Sequence, residues 1–266
     1  MNELVVKISF SLIQVRKKIN FTTNERLPVC YLEGRLKMIT TQVPKLMSIS
    51  KEREVIYSFL RVSLQCPLTK EVLLNWKEHF SSEFKAVLTE GNEYLCSFFE
   101  SLDKKPLTEI VEQEKEAYLA TFYIFNEDGK VPAPPWESVY ITRDKSLFGE
   151  PVFQMRKKLS EFGLQFIHEN TDPDDHIAIE LEFMNYLINY TLSAIEEGRE
   201  ADYIKGVYTQ YWLMKEHLNR WITPFTMDIL SSHTSDFYKG IALLLSIFVE
   251  EDFEYIKTMK EDLDNE

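Results

Sequence analysis

Asp174, Asp175 and His176 follow Pro173 in the stretch NTDPDDHIAIE, residues 170–180, where a polar loop gives way to an apolar run. Two carboxylates beside an imidazole can make a general base, a metal site, or a receptor for cationic groups. Local structure offers a plainer use. Asp172 is placed to cap a helix, Pro173 suits the first helical position, and Asp174 and Asp175 favour the positive end of the helix dipole. His176 gains nothing from that dipole, so capping leaves it unexplained.

The rest of the sequence does not complete a catalytic site. An Asp–His pair can act as a general base, but no Gly-x-Ser-x-Gly elbow, phosphate-cradling glycine loop or Gly-x-Gly-x-x-Gly accompanies it. A metal phosphohydrolase of the His-Asp type needs histidine before aspartate and further distant histidines. Here the order is reversed, and His79, His168, His217 and His233 show no ligand spacing. Cys30, Cys66 and Cys96 are far apart, so neither a disulfide framework nor a zinc site is indicated, and a reducing compartment fits. We expect no cofactor and no metal, with an Asp–His hydrolase kept as the alternative from another class.

Two more stretches carry chemistry-bearing side chains. APPWESVYITRDKSLFGEP, 133–151, sets the aromatic Trp136 beside Glu137 and the hydroxyl of Ser138. EHLNRWITPF, 216–225, puts Leu218 and Trp221 on one helix face, with Pro224 ending that helix or starting the next. Taken singly, each reads as core.

The elements that must position these groups are helices. Glycine (8) and proline (10) are too few in 266 residues for the turns of a sandwich or barrel. From about residue 50 the apolar period is helical almost throughout. Val55, Ile56, Phe59, Leu60 and Ser63 share one face, and Thr69 is placed to cap a helix striped by Val72, Leu73, Trp76 and Phe80. Strand-like alternation is confined to SVYIT, 138–142. NEDGKVPAPPWE, 126–137, reads as a long loop, and helices are expected at 149–162, 173–196, 199–215, 224–232 and 234–258. Residues 1–46 lack a clean period and form an extension, poorly ordered or upstream of a true start at Met38 or Met47. Residues 47–266 make one all-α domain, a helical bundle of about ten helices with a Pro-rich loop near its middle.

A net charge of −13 argues against a nucleic-acid partner. The longest apolar run, IALLLSIFV at 241–249, is far short of a bilayer span, so we expect no stable membrane insertion and a cytoplasmic protein.

Read in order, Pro-Pro-Trp-Glu-Ser-Val-Tyr, Leu-Phe-Gly-Glu-Pro, Asp-Pro-Asp-Asp-His, His-Leu-x-x-Trp-x-x-Pro-Phe and Phe-Tyr-x-x-Ile-Ala resemble the TorD/DmsD family of cytoplasmic chaperones for molybdenum-cofactor oxidoreductases. That family is related to the NarJ-type assembly chaperones, and the resemblance runs from about residue 52 to 258. It implies an all-helical, non-catalytic protein, monomer or homodimer. Such a chaperone binds the twin-arginine signal peptide of an apo molybdopterin oxidoreductase and delays its export until the cofactor is inserted. By the same resemblance the peptide site includes Tyr118, Phe122, Trp136, Gly149, Pro173, Asp175 and His176, to which charge complementarity adds Glu137 and Asp174. Asp172 stands where the family often shows Glu. A NarJ-type factor serving a non-exported subunit is the alternative within the family. Physical chemistry agrees with a peptide site: paired arginines ask for carboxylates, and the apolar stretch after them asks for aromatic surface. Asp174, Asp175 and Glu137 can supply the first, and Trp136, Phe122 and Tyr118 the second. His176, titrating near neutral pH, can donate to a peptide carbonyl.

Overall fold

The computed structural model describes residues 13–15, 32–167 and 173–265, with side chains from Pro44 onward. In chain order the helices are α1 (Leu32–Gln65), α2 (Lys70–His79), α3 (Ser82–Thr89), α4 (Glu93–Lys104), α5 (Leu107–Phe122), α6 (Glu137–Ile141), α7 (Glu150–Glu161), α8 (Ile177–Glu196), α9 (Glu200–Leu213), α10 (Asn219–Ser231) and α11 (Asp236–Asp264). A π-helical turn, Met214–Leu218, joins α9 to α10. The strands β1 (Ile13–Val15) and β2 (Leu164–Phe166) pair antiparallel, Gln14 opposite Gln165. The fold is an all-α bundle.

Local chemistry sets several helix starts. Thr69, Ser81, Asn92 and Ser235 each accept a hydrogen bond from the backbone N–H three residues on, as a side-chain N-cap does. Thr69 caps α2 as its sequence position predicts. The burial pattern then sets the packing. Along α1, Arg53, Tyr57, Leu60 and Leu64 fall on one buried face, which lies along α8. α8 is buried on nearly every side, from Ile177 through Ile188, so it occupies the centre. α9 packs on α8, and α10 packs on α11.

A polar tie runs through this core. Arg53 Nε donates to Asp252 Oδ1 at 2.5 Å and its Nη2 to Gln210 Oε1 at 2.9 Å, while Tyr57 OH donates to Asp252 Oδ2 at 2.6 Å. All four residues are buried, so α1, α9 and α11 are held in one register by groups that satisfy each other.

Four expectations change. SVYI is helical, inside α6, because an alternating run this short does not specify a strand that has no partner. α8 begins at Ile177 instead of 173, for a reason given below. Pro224 lies within α10, one step in a helical path unbroken from Glu200 to Ser231. α1 begins at Leu32, well upstream of residue 50, so a boundary at 46 falls inside a helix; residues 1–12 and 16–31 lie outside the described residues.

Candidate functional site

The chain between α5 and α6 meets the segment before α8 in one antiparallel bridge, Trp136 opposite His176. Ile177 N donates to Pro135 O at 2.9 Å, and Glu137 N donates to Asp175 O at 3.1 Å. Backbone engaged in a bridge cannot also be helical, which is why α8 starts only after His176. Asp172 lies outside the described residues, and Pro173 is buried ahead of the helix.

The side chains of Asp175 and His176 each finish a helix. Asp175 Oδ2 accepts from Ser138 N at 2.7 Å, capping α6, whose own N-cap residue Trp136 makes no side-chain cap bond. His176 is itself the N-cap of α8, its Nδ1 accepting from Ala178 N at 3.0 Å. An Nδ1 that accepts leaves the proton of the neutral ring on Nε2, which faces Tyr123 OH at 3.2 Å. Burial lowers the His176 pKa to about 4, so the ring is neutral at pH 7 and not titrating there, contrary to expectation. Burial also raises Asp175 to about 6, against the hydrogen bonds from Ser138 that pull it down. Asp175 and His176 are not bonded to each other; each is bonded to another segment's or its own helix's backbone.

Below this edge the three sequence motifs converge. Glu137, Glu180 and His217 are all fully buried. His217 Nδ1 donates to Glu137 Oε2 at 2.5 Å, and Trp221 Nε1 donates to Glu180 Oε2 at 3.2 Å. Desolvation, then the neighbouring Glu137 carboxylate, pushes Glu180 well above the ordinary carboxylate range, so it keeps its proton and donates it to Glu137. Among the described residues these three could also hold a cation, since their ligand atoms lie within 4.8 Å of one another. Two ligands of one zinc ion sit about 3.3 Å apart at usual bond lengths. The 2.5 Å contact is therefore a hydrogen bond.

The other nominated residues divide between core and surface. Tyr118 and Phe122 are interior: the Tyr118 hydroxyl donates to Leu64 O at 3.2 Å, and the Phe122 ring sits 5.4 Å from Tyr238 and 6.1 Å from Phe225. Helical spacing put them on one face, and that face turns inward. Glu137 likewise points into the fold and not onto the edge. A Cβ on Gly149 would stand 2.7 Å from Thr142 Cγ2, so this glycine lets α7 start tight against the end of α6. Asp174 is fully buried and receives the Arg156 guanidinium, Nη2 at 2.6 Å and Nε at 3.4 Å. Trp136 remains half-buried, its ring edge-on to both Tyr123 (5.6 Å) and His176 (5.7 Å).

Sequence reasoning missed Tyr123, Ile124 and Phe125, which follow α5 and are 39%, 54% and 70% exposed. Three consecutive apolar side chains beyond a helix end were the available signal. It also missed Arg156, Glu180 and His217. Glu180, a lone charge inside the apolar run IAIELEF, could have been suspected of a buried partner.

These features define an all-helical protein whose carboxylates and imidazoles brace an apolar, aromatic edge. The chain belongs to the nitrate reductase delta subunit family, whose model matches residues 69–227, and within it to the TorD/DmsD group. Chaperone protein TorD of Aliivibrio salmonicida is 26% identical over 218 residues, covering 80% of this chain and 98% of that protein. Chaperone protein TorD of Vibrio vulnificus is 26% identical over 215 residues, with the same coverage. The probable Tat proofreading chaperone DmsD of Haemophilus influenzae is 26% identical over 148 residues, covering 55% of this chain and 66% of that protein.

Proposed function

We propose that this protein is a maturation chaperone for a molybdoenzyme, and that it holds the twin-arginine signal peptide of the apo-oxidoreductase across the edge formed by Tyr123, Trp136 and His176. The chaperone class rests on family membership and on relatives named TorD and DmsD. The observation that carries the peptide reading is the exposed run Tyr123–Phe125, continuous through Tyr123 with the half-buried Trp136 and with His176. The apolar stretch that follows the arginines of such a peptide matches that surface, and a net charge of −13 favours a basic ligand. Phe148 and Phe153, before and within α7, are also exposed apolar side chains. We assign the protein no turnover, since Asp175 and His176 serve as caps. The client is met in the cytoplasm before export, and the chaperone acts as monomer or homodimer. Among the described residues no helix is long and apolar enough to cross a membrane.

Titration calorimetry with a synthetic twin-arginine peptide tests this. Phe125→Ser and Ile124→Ser should each weaken binding by roughly three- to tenfold, the loss of part of one buried apolar side chain. Both residues are exposed, so the melting curve should not move. Unchanged affinity in both variants would place the peptide elsewhere. The name of the matching family model favours one second reading, a NarJ-type factor for a non-exported subunit. That reading expects binding of the apo-subunit and none of the peptide.

A further inference from the structure

We propose that Arg156 is a built-in stand-in for an arginine of the client: it occupies the Asp174 carboxylate in the free protein and gives way when the peptide's guanidinium arrives. This rests on the edge being a peptide receptor. The carboxylates nominated for that task are not equivalent. Glu137 is held inside by His217, and Asp175 is fixed to the backbone of α6. Asp174 already holds a guanidinium, gripped by Nη2 and Nε together, the fork with which arginine recognises a carboxylate.

The position of Arg156 suits exchange. Asp174 is fully buried, whereas the Arg156 side chain is 24% exposed, so the arginine is the partner that reaches solvent. Arg156 stands on α7 and Asp174 in the segment before α8, so the long arginine stem can swing out without unwinding either element. Asp174 is also two residues from His176, whose ring packs against Trp136 at the peptide edge. Exchange conserves charge at the buried carboxylate: one guanidinium leaves and another enters, so no ion is left buried and uncompensated. It also sets specificity. A lysine ammonium offers no planar fork and competes poorly with one already in place, so the site discriminates for arginine.

Chemical rescue and peptide binding together test this. Arg156→Ala opens a guanidinium-sized space over Asp174. Millimolar methylguanidinium should raise the melting temperature of this variant and not that of the wild type, while methylammonium should raise neither. A twin-arginine peptide should bind Arg156→Ala about ten- to a hundredfold tighter than wild type, the range of one charge-assisted hydrogen-bonded contact, and a twin-lysine peptide should gain nothing. The gain should vanish in Arg156→Ala/Asp174→Asn. If Arg156→Ala does not fold, Arg156→Lys replaces it, with a several-fold gain expected. A folded variant that binds the twin-arginine peptide no tighter than wild type, or that shows no guanidinium rescue, overturns the proposal and leaves Arg156–Asp174 a fixed tie. Rescue without any peptide binding, wild type included, would keep the guanidinium site and sink the peptide reading instead.

Discussion

A carboxyl group buried among other carboxyls has to keep its proton, and Glu180 makes that demand measurable. Its folded-state pKa lies well above that of the unfolded chain, so the folded state holds a proton the unfolded state has lost. The stability tied to that proton is complete below the unfolded value, near 4.5, and falls as pH rises toward the folded value. Glu180→Gln keeps the shape and an acceptor for Trp221 without the proton, so the variant should be at least as stable as wild type at pH 7. Denaturant melts across pH 4–8 should show the difference growing with pH. Glu114, buried and accepting from Ser235 Oγ at 2.5 Å, behaves alike with a pKa raised by desolvation to about 7. Its contribution should fall between about pH 4.5 and 7, by on the order of 3 kcal/mol at most, and Glu114→Gln should flatten that part of the profile. His176 has the opposite sign: with its pKa lowered to about 4, its contribution is complete above about 6.5 and is lost as pH falls toward 4. Elemental analysis should find no stoichiometric zinc or iron. About one equivalent, lost in Glu137→Gln, would mean that an ion displaces the hydrogen bond to His217.

Between elements, α4 and α11 approach closely at a glycine. A Cβ on Gly240 would stand 2.6 Å from Leu95 Cγ, and Asn92, the cap of α4, donates to Gly240 O at 2.8 Å. Gly240→Ala should therefore destabilise by about 1–3 kcal/mol despite alanine's better helix propensity. Leu95→Ala alone should cost about 2–5 kcal/mol by leaving a cavity. The double variant should cost less than the sum, because the added methyl then meets space. Strict additivity in thermal or urea melts would show that the two helices relax apart.

At the scale of the molecule, the bond from Arg53 to Asp252 joins residues 199 positions apart. Asp252→Ala should cost about 3–5 kcal/mol by leaving the guanidinium buried without its carboxylate. A chain starting at Met47 loses the half-buried Leu46, which packs near Tyr203 and Val207, and the three-residue pairing of β1 with β2. It should still melt cooperatively, lower by about 5 °C. Loss of cooperativity would make the upstream segment part of the core.

The sequence by itself determined the helical class, the cap at Thr69, the stripe of α2 and the signatures that mark the family, because period, cap chemistry and motif order are local properties. It also marked Trp136, Asp174, Asp175 and His176 as belonging to one region. Which way each side chain faces was decided by tertiary contacts. Tyr118 and Phe122 share a helix side in the sequence, but only the packing of Tyr238 and Phe225 shows that this side is the interior. The start of α8 could not be read from Pro173, because the bridge that delays it comes from a strand-like segment some forty residues upstream. Nor could the sequence pair Glu137 with His217, 80 residues apart, or Asp174, ahead of α8, with Arg156 on α7. Hydrogen bonds between distant segments leave no periodicity behind, and they alone determine which carboxylates brace the fold and which one is left to hold a guanidinium.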